Sequence, residues 1–257
     1  MQAVLRSRVF SAVSQGLLGL VLFLSIWALI RAVGWTVLPG PWDVAKSFPD
    51  LLTSEVYWQS WVGSAQRVFG GFAIAAVLAL LLGLTMGVSK RFRWFSFPLL
   101  EVFRPIPPLA WLPLAILFWP TSEATMHFLT FAGAFFPILI NVLAGIDSVD
   151  QRYVESAQSL GASRWAIFSK ILLPAALPSV FTGLAIAIGI TWEVVIAAEM
   201  AASTAGLGYL TWDAYVNNSL PGIVAGMLSI GCAGMLSSLL MNAFGRQVMP
   251  WRKEASR

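Results

Sequence analysis

The sequence predicts an all-α polytopic membrane protein with six transmembrane helices and a cytoplasmic helical hairpin between the fourth and fifth. Three observations carry that expectation. The 257 residues are 58% hydrophobic and 11% charged, against about 45–50% and about 25% in soluble domains. Six apolar stretches each approach the roughly 20 residues that a helix needs to cross about 30 Å of hydrocarbon. Lysine and arginine gather in alternate connections between those stretches. Such a composition excludes an ordinary soluble enzyme, a disordered chain and a disulfide scaffold. Cys232 and His127 are each the sole residue of their type, so no intrachain disulfide and no cysteine cluster for a metal can form.

The first stretch, 16–33, follows Arg6 and Arg8 and so resembles a secretory signal. The run is long, and Arg31-Ala32-Val33-Gly34-Trp35 is a poor cleavage site, so a retained helix is expected. The others span 68–88, 99–119, 126–146, 179–200 and 222–244. None alternates apolar and polar residues as a barrel strand would. Lys90, Arg91 and Arg93 follow the second, Arg152, Arg164 and Lys170 the fourth, and Arg246, Arg252, Lys253 and Arg257 the sixth. With Arg6 and Arg8 these fall on one side, and the positive-inside rule puts that side and both termini in the cytoplasm. Arg31, Lys46 and Arg67 sort to the outer side with Asp43, Asp50, Glu55, Glu123 and Asp213. Trp35, Trp42, Trp58 and Trp61 crowd the first outer loop, as expected of headgroup-level aromatics.

The connection 147–178 is too polar to span and too patterned to be slack. Ser148 or Asp150 is a candidate N-cap. Tyr153, Ala157 and Leu160 recur at helical spacing opposite Arg152, Glu155 and Gln158. Gly161 suits a left-handed C-cap. Ser163 can start a second short helix with Trp165, Ile167 and Phe168, before Pro174 and Pro178 interrupt the approach to the fifth span. From pattern alone this hairpin either rests on lipid or docks a soluble partner.

Glu155-Ser156-Ala157, then Gly161, then Ile171, Leu173 and Pro174 resemble the cytoplasmic signature of ABC importer permeases, with Ser156 where that family usually has Ala. The resemblance extends from about residue 61 to 244. Arg104-Pro105-Ile106-Pro107-Pro108-Leu109-Ala110-Trp111-Leu112-Pro113-Leu114, Ala197-Ala198-Glu199-Met200 and Gly206-Leu207-Gly208-Tyr209 are similar to its nitrate/sulfonate/bicarbonate/taurine branch. Trp212-Asp213-Ala214-Tyr215 leans toward the nitrate and bicarbonate members.

The resemblance implies a transport subunit rather than an enzyme. Two permease copies would form the path for a small solute. A periplasmic or lipid-anchored binding protein would deliver it, and cytoplasmic ABC ATPase subunits would use ATP and Mg²⁺ to drive it. No nucleic-acid partner and no cofactor of the chain's own is implied. Glu155 and Gly161 would belong to the ATPase-coupling element, with Ala157, Leu160 and Ala162 as its contact face. The division implied is 1–60 (tail, first helix, outer loop), 61–246 (permease core, coupling loop 147–178) and 247–257 (cytoplasmic tail). The chain lacks a G-x-x-x-x-G-K-[ST] phosphate loop of its own.

Pro105, Pro107, Pro108 and Pro113 bend or break the third span, which makes it either a gate in the pathway or a helix kinked for packing. Arg104 could attract an anion or meet the headgroups. Glu193 and Glu199 occupy different faces of the fifth span. Glu199 lies near its outer end, where water would reach it, and suits a structural or gating hydrogen bond. Glu193 is deeper, and could line the pathway, pair with Arg104 or stay protonated. Asn141 is a candidate interhelical hydrogen bond or substrate contact. His127, four residues after Glu123, fits a wetted helix start better than a metal site. Gly83 and Gly87 form a small-xxx-small pair for close helix approach. An intramembrane enzyme would need clustered ionisable groups that the sequence lacks. A self-sufficient secondary transporter would need an inverted repeat that it does not display.

Overall fold

Long apolar runs close their own backbone hydrogen bonds because lipid offers none, and the fold is assembled from them. The structure is a computed structural model describing residues 2–33 and 39–251. Among the described residues every regular element is helical. In order they are α1 (Gln2–Ala32), α2 (Pro41–Thr53), α3 (Glu55–Val88), α4 (Lys90–Phe103), α5 (Leu112–Phe118), α6 (Ser122–Asp147), α7 (Gln151–Ser159), α8 (Arg164–Ile167), α9 (Leu173–Ala202), α10 (Leu207–Val216) and α11 (Leu220–Val248). A 3₁₀ turn (Pro108–Trp111) precedes α5, and a π turn (Phe168–Leu172) joins α8 to α9.

Among the described residues, five helical spans are long and apolar enough to cross a membrane. The count reaches six if α4 and the Pro108–Phe118 segment make one bent span. The third stretch is therefore not one helix: the chain turns by 80° between Phe103 and Pro108. Pro105, Pro107 and Pro108 lack donors, and their rings collide with a preceding helical turn. Pro178, expected to interrupt, lies inside α9, and helix continues from Arg164 to Ala202. The π turn inserts its extra residue just ahead of Pro174, which occupies the first turn of α9, where a missing N–H costs little.

The second span also begins earlier than residue 68. Part of the expected outer loop is α2, and Trp58 and Trp61 already belong to α3. The expected boundaries at 60/61 and 246/247 fall inside α3 and α11. Ser60, Ser64 and Arg67 lower the hydropathy of α3's first half, yet all three are buried in protein rather than exposed to lipid.

The core lies among α3, α6 and α9. Val68, Phe72, Ala75 and Ala79 of α3 meet Ala134, Ile138, Leu139 and Val142 of α6, with Val180, Leu184, Ala187 and Ile188 of α9 completing the layer. The helices touch closely at the small pair: a Cβ on Gly83 would stand 2.7 Å from Val142 Cγ1, and one on Gly87 2.2 Å from Ile146 Cδ1. Polar pins join α11 to this core. Trp192 Nε1 donates to Ser237 Oγ at 2.9 Å, and Tyr57 Oη and Ser229 Oγ are 2.8 Å apart. Trp27 Nε1 on α1 donates to the Pro39 carbonyl at 3.0 Å, just ahead of α2. Apart from half-buried Trp27, the described large apolar side chains of α1, among them Leu17, Val21 and Phe23, are exposed.

Candidate functional site

Two polar constructions lie at opposite ends of the helical core. The first is the hairpin of α7 and α8. Asp150 caps α7, its Oδ1 accepting from Arg152 N at 2.9 Å, whereas Ser148 closes α6. At the far end of α7, Gly161 takes φ +80°, a left-handed conformation that costs L side chains. Its N–H donates to the Gln158 carbonyl and that of Ala162 to the Ala157 carbonyl, both at 2.9 Å. This paired closure is a Schellman turn. Ser163 then caps α8, accepting from Ala166 N at 3.2 Å.

The outcome is a compact knob. Glu155, Leu160 and Gly161 are exposed, and Ala157 and Ala162 are half-buried. Leu160 is 88% exposed, an unusual position for a leucine held on a rigid turn. The base of the hairpin is tied sideways: Arg93 of α4 donates through both Nη atoms to the two Asp147 oxygens, each at 2.7 Å.

The second construction centres on Arg67. Its Nε and Nη2 grip both oxygens of Glu123 at the start of α6. Its Nη1 donates to Glu199 Oε1 at 2.8 Å and to the Ala205 carbonyl at 2.7 Å. Glu199 is fully buried on α9. It also accepts from Ser64 Oγ at 2.8 Å and from Gly208 N at 2.9 Å, while Ser64 Oγ accepts from Leu207 N at 2.8 Å. One guanidinium thereby joins α3, α6, α9 and the turn into α10. A buried charge is tolerated when its lone pairs and protons are met, and here both Glu199 oxygens and four of the five Arg67 N–H protons have partners. Gly206, at φ +118°, lets that turn pass so near that a Cβ would stand 2.3 Å from Glu199 Cδ.

The structure thus corrects the expectation of a wetted Glu199. Arg104 does not meet Glu193 either: its Nη1 donates to Glu101 Oε1 at 2.6 Å. Pro107 and Pro108 sit at the 80° break. Glu193 is exposed on α9 without an ion-pair partner among the described residues. Asn141 Nδ2 bonds within its own helix, to the Pro137 carbonyl at 2.8 Å, rather than across helices. Glu123 is engaged by Arg67, and the described residues contain no group of three His, Cys, Asp or Glu able to hold a metal. Arg67 and Ser64 escape a reading by hydropathy, which places Arg67 among outer charges. Their signal is the helical period of buried positions upstream of the apolar run: Tyr57, Ser60, Ser64, Arg67 and Gly71.

Comparison with known proteins fits this architecture. Residues 67–254 match the family described as binding-protein-dependent transport system inner membrane component. The chain is 36% identical over 233 residues to the bicarbonate transport system permease protein CmpB of Synechococcus elongatus, covering 86% of this chain and 84% of that one. It is 35% identical over 237 residues to the nitrate import permease protein NrtB of Leptolyngbya laminosa, covering 88% and 84%. It is 32% identical over 243 residues to the taurine transport system permease protein TauC of Escherichia coli, covering 91% and 88%. A solved chain from a bacterial alginate ABC transporter shares the fold, with TM-score 0.61, 17% identity and 94% coverage of both chains. The chain therefore belongs to the inner-membrane components of binding-protein-dependent transport systems: it is a multi-pass permease of an ABC importer, in the nitrate/bicarbonate/sulfonate-type branch, and a transport subunit without a catalytic role.

Proposed function

We propose that two copies of this permease form the path for a small solute (nitrate, bicarbonate, a sulfonate or taurine) handed over by a periplasmic or lipid-anchored binding protein. Both termini are cytoplasmic in this reading, because the hairpin side carries Lys90, Arg91, Arg93, Arg152, Arg164 and Lys170. There the knob of Glu155, Ala157, Leu160, Gly161 and Ala162 fits a groove on an ABC ATPase. The partner consumes ATP with Mg²⁺, and this chain binds neither. The observation that carries the reading is Leu160, presented bare on a Schellman turn. An apolar side chain so displayed gains free energy by docking in a groove.

Movement has a ready conductor. Helix continues from Arg164 to Ala202, about 58 Å at 1.5 Å per residue, so the hairpin and Glu199 lie on one rod. A pull on the knob is felt at the Arg67–Glu199 cluster, which holds the other end shut until that rod shifts. The Arg93–Asp147 tie carries the same pull into α4 and the proline break at Pro107 and Pro108, beside Arg104. The cycle is a two-state rearrangement biased by the ATPase.

Glu193 favours a narrower choice of cargo within that set. It lies on an open stripe of α9 with Thr182, Ile186 and Gly189, and a carboxyl group there offers an amine a partner that nitrate or bicarbonate cannot use. A zwitterion such as taurine suits it better. Vesicle uptake of labelled taurine, nitrate and bicarbonate by the assembled importer tests this: Glu193→Gln should weaken amine-bearing cargo alone. Unaltered uptake of all three removes Glu193 from the pathway.

A further inference from the structure

A groove of about 560 Å³ opens between α8, on the side away from the Gly161 turn, and the last turns of α3. Leu81, Leu84 and Val88, on the last turns of α3, form one wall. Trp165 and Phe168 form the other, their rings 5.6 Å apart. The walls offer almost no hydrogen bonding, since the Thr85 hydroxyl is spent on the Leu82 carbonyl at 2.8 Å. Arg164 is the one charged residue in the lining. It is exposed, and no acidic side chain pairs with it among the described residues. Lys90 and Arg91 directly follow the lining residue Ser89, are exposed, and likewise lack an acidic partner. Of the acids nearest in sequence, Glu101 is paired with Arg104, and Glu155 is exposed on α7 without an ion pair among the described residues; Asp147 is held by Arg93 and Asp150 caps α7.

An apolar trough ending in uncompensated positive charge matches a molecule that is greasy along its length and anionic at its head. We propose that this groove is a binding site for an anionic phospholipid, one acyl chain lying against Leu81, Leu84, Val88, Trp165 and Phe168, its phosphate held by Arg164 with Lys90 and Arg91 supplying further charge. Basic residues at a helix end attract anionic headgroups additively, and an indole is suited to the boundary between chain and headgroup. The bound lipid would brace α8 against α3, and so set the angle at which the hairpin leaves the membrane.

The test uses the full chain assembled with its ATPase in phosphatidylcholine vesicles. These carry equal small fractions of brominated phosphatidylglycerol or brominated phosphatidylcholine. Bromine quenches indole on contact, and the Trp165 contribution is the difference between wild type and Trp165→Phe. Phosphatidylglycerol should quench Trp165 at on the order of tenfold lower mole fraction. In Lys90→Gln/Arg164→Gln both lipids should quench alike. Should that double variant fail to fold, raising salt on the wild type should erase the preference instead. Equal quenching by the two lipids in wild type at low salt overturns the proposal. So does the absence of Trp165 quenching by either lipid, which would mean that the ATPase or another protein segment fills the groove.

Discussion

At the scale of single residues, the Arg67 cluster sets the sharpest expectations. Arg67→Ala leaves Glu199 buried without its cation, which costs about 3–5 kcal/mol for an interrupted buried pair. Thermal unfolding in detergent should fall accordingly. Glu123→Gln should be far milder, about 1 kcal/mol or less, because that carboxylate is 58% exposed and water screens it. Equal losses in the two variants would show that Arg67 is not the buried hub. Gly206→Ala adds strain at φ +118° and drives a methyl into Glu199, so it should destabilise strongly. Gly63→Ala, with nothing within 4 Å of its Cβ, should be neutral or slightly stabilising. The contrast marks how far residues could be read from sequence. Glu199 stands out as a carboxylate in an apolar run, but its partner lies 132 positions away. No local pattern announces a pairing made by tertiary packing, and Arg67 counts as polar whether it meets lipid, water or Glu199.

At the scale of elements, the hairpin was legible and the span ends were not. Asp150, Gly161 and Ser163 act through bonds within a few residues of themselves, so their caps are written locally. The starts of α3 and α9 are set by what surrounds Ser60, Ser64 and Pro178, which sequence periodicity does not contain. Gly161→Val forces a β-branched residue into left-handed backbone although a Cβ there has open space. The variant should therefore reach the membrane intact and fail to co-purify with its ATPase. Transport at the wild-type rate by that variant would contradict docking through this turn. Arg93→Gln removes an exposed pair and should change stability by about 1 kcal/mol or less. It should leave ATPase co-purification in place but lower uptake per ATP hydrolysed. The swap Arg93→Asp with Asp147→Arg should restore that ratio if the tie carries motion into α4.

At the scale of the whole molecule, one chain is an incomplete device. The exposed stripe of α9 and the face of α11 around Gly231 and Gly234 face open space, as expected where a second permease copy and lipid complete the path. The expectation of six spans followed from composition and charge because lipid imposes length and basic loops stay in the cytoplasm; among the described residues five helices meet it, or six with the bent pair. The 80° break and the buried network did not follow, since both are answers to packing rather than to lipid. In the proposed function, what unites the scales is a mechanical link from an external motor through the hairpin to the far end of α9. The most direct test places a cysteine at Leu160 in a Cys232→Ser chain, cross-linked in the assembled importer with a short bifunctional maleimide. The expected result is a product with the ATPase whose yield changes when ATP is added. Labelling of that cysteine by a membrane-impermeant maleimide from outside intact cells, or a failure to cross-link the ATPase in any nucleotide state, would contradict it.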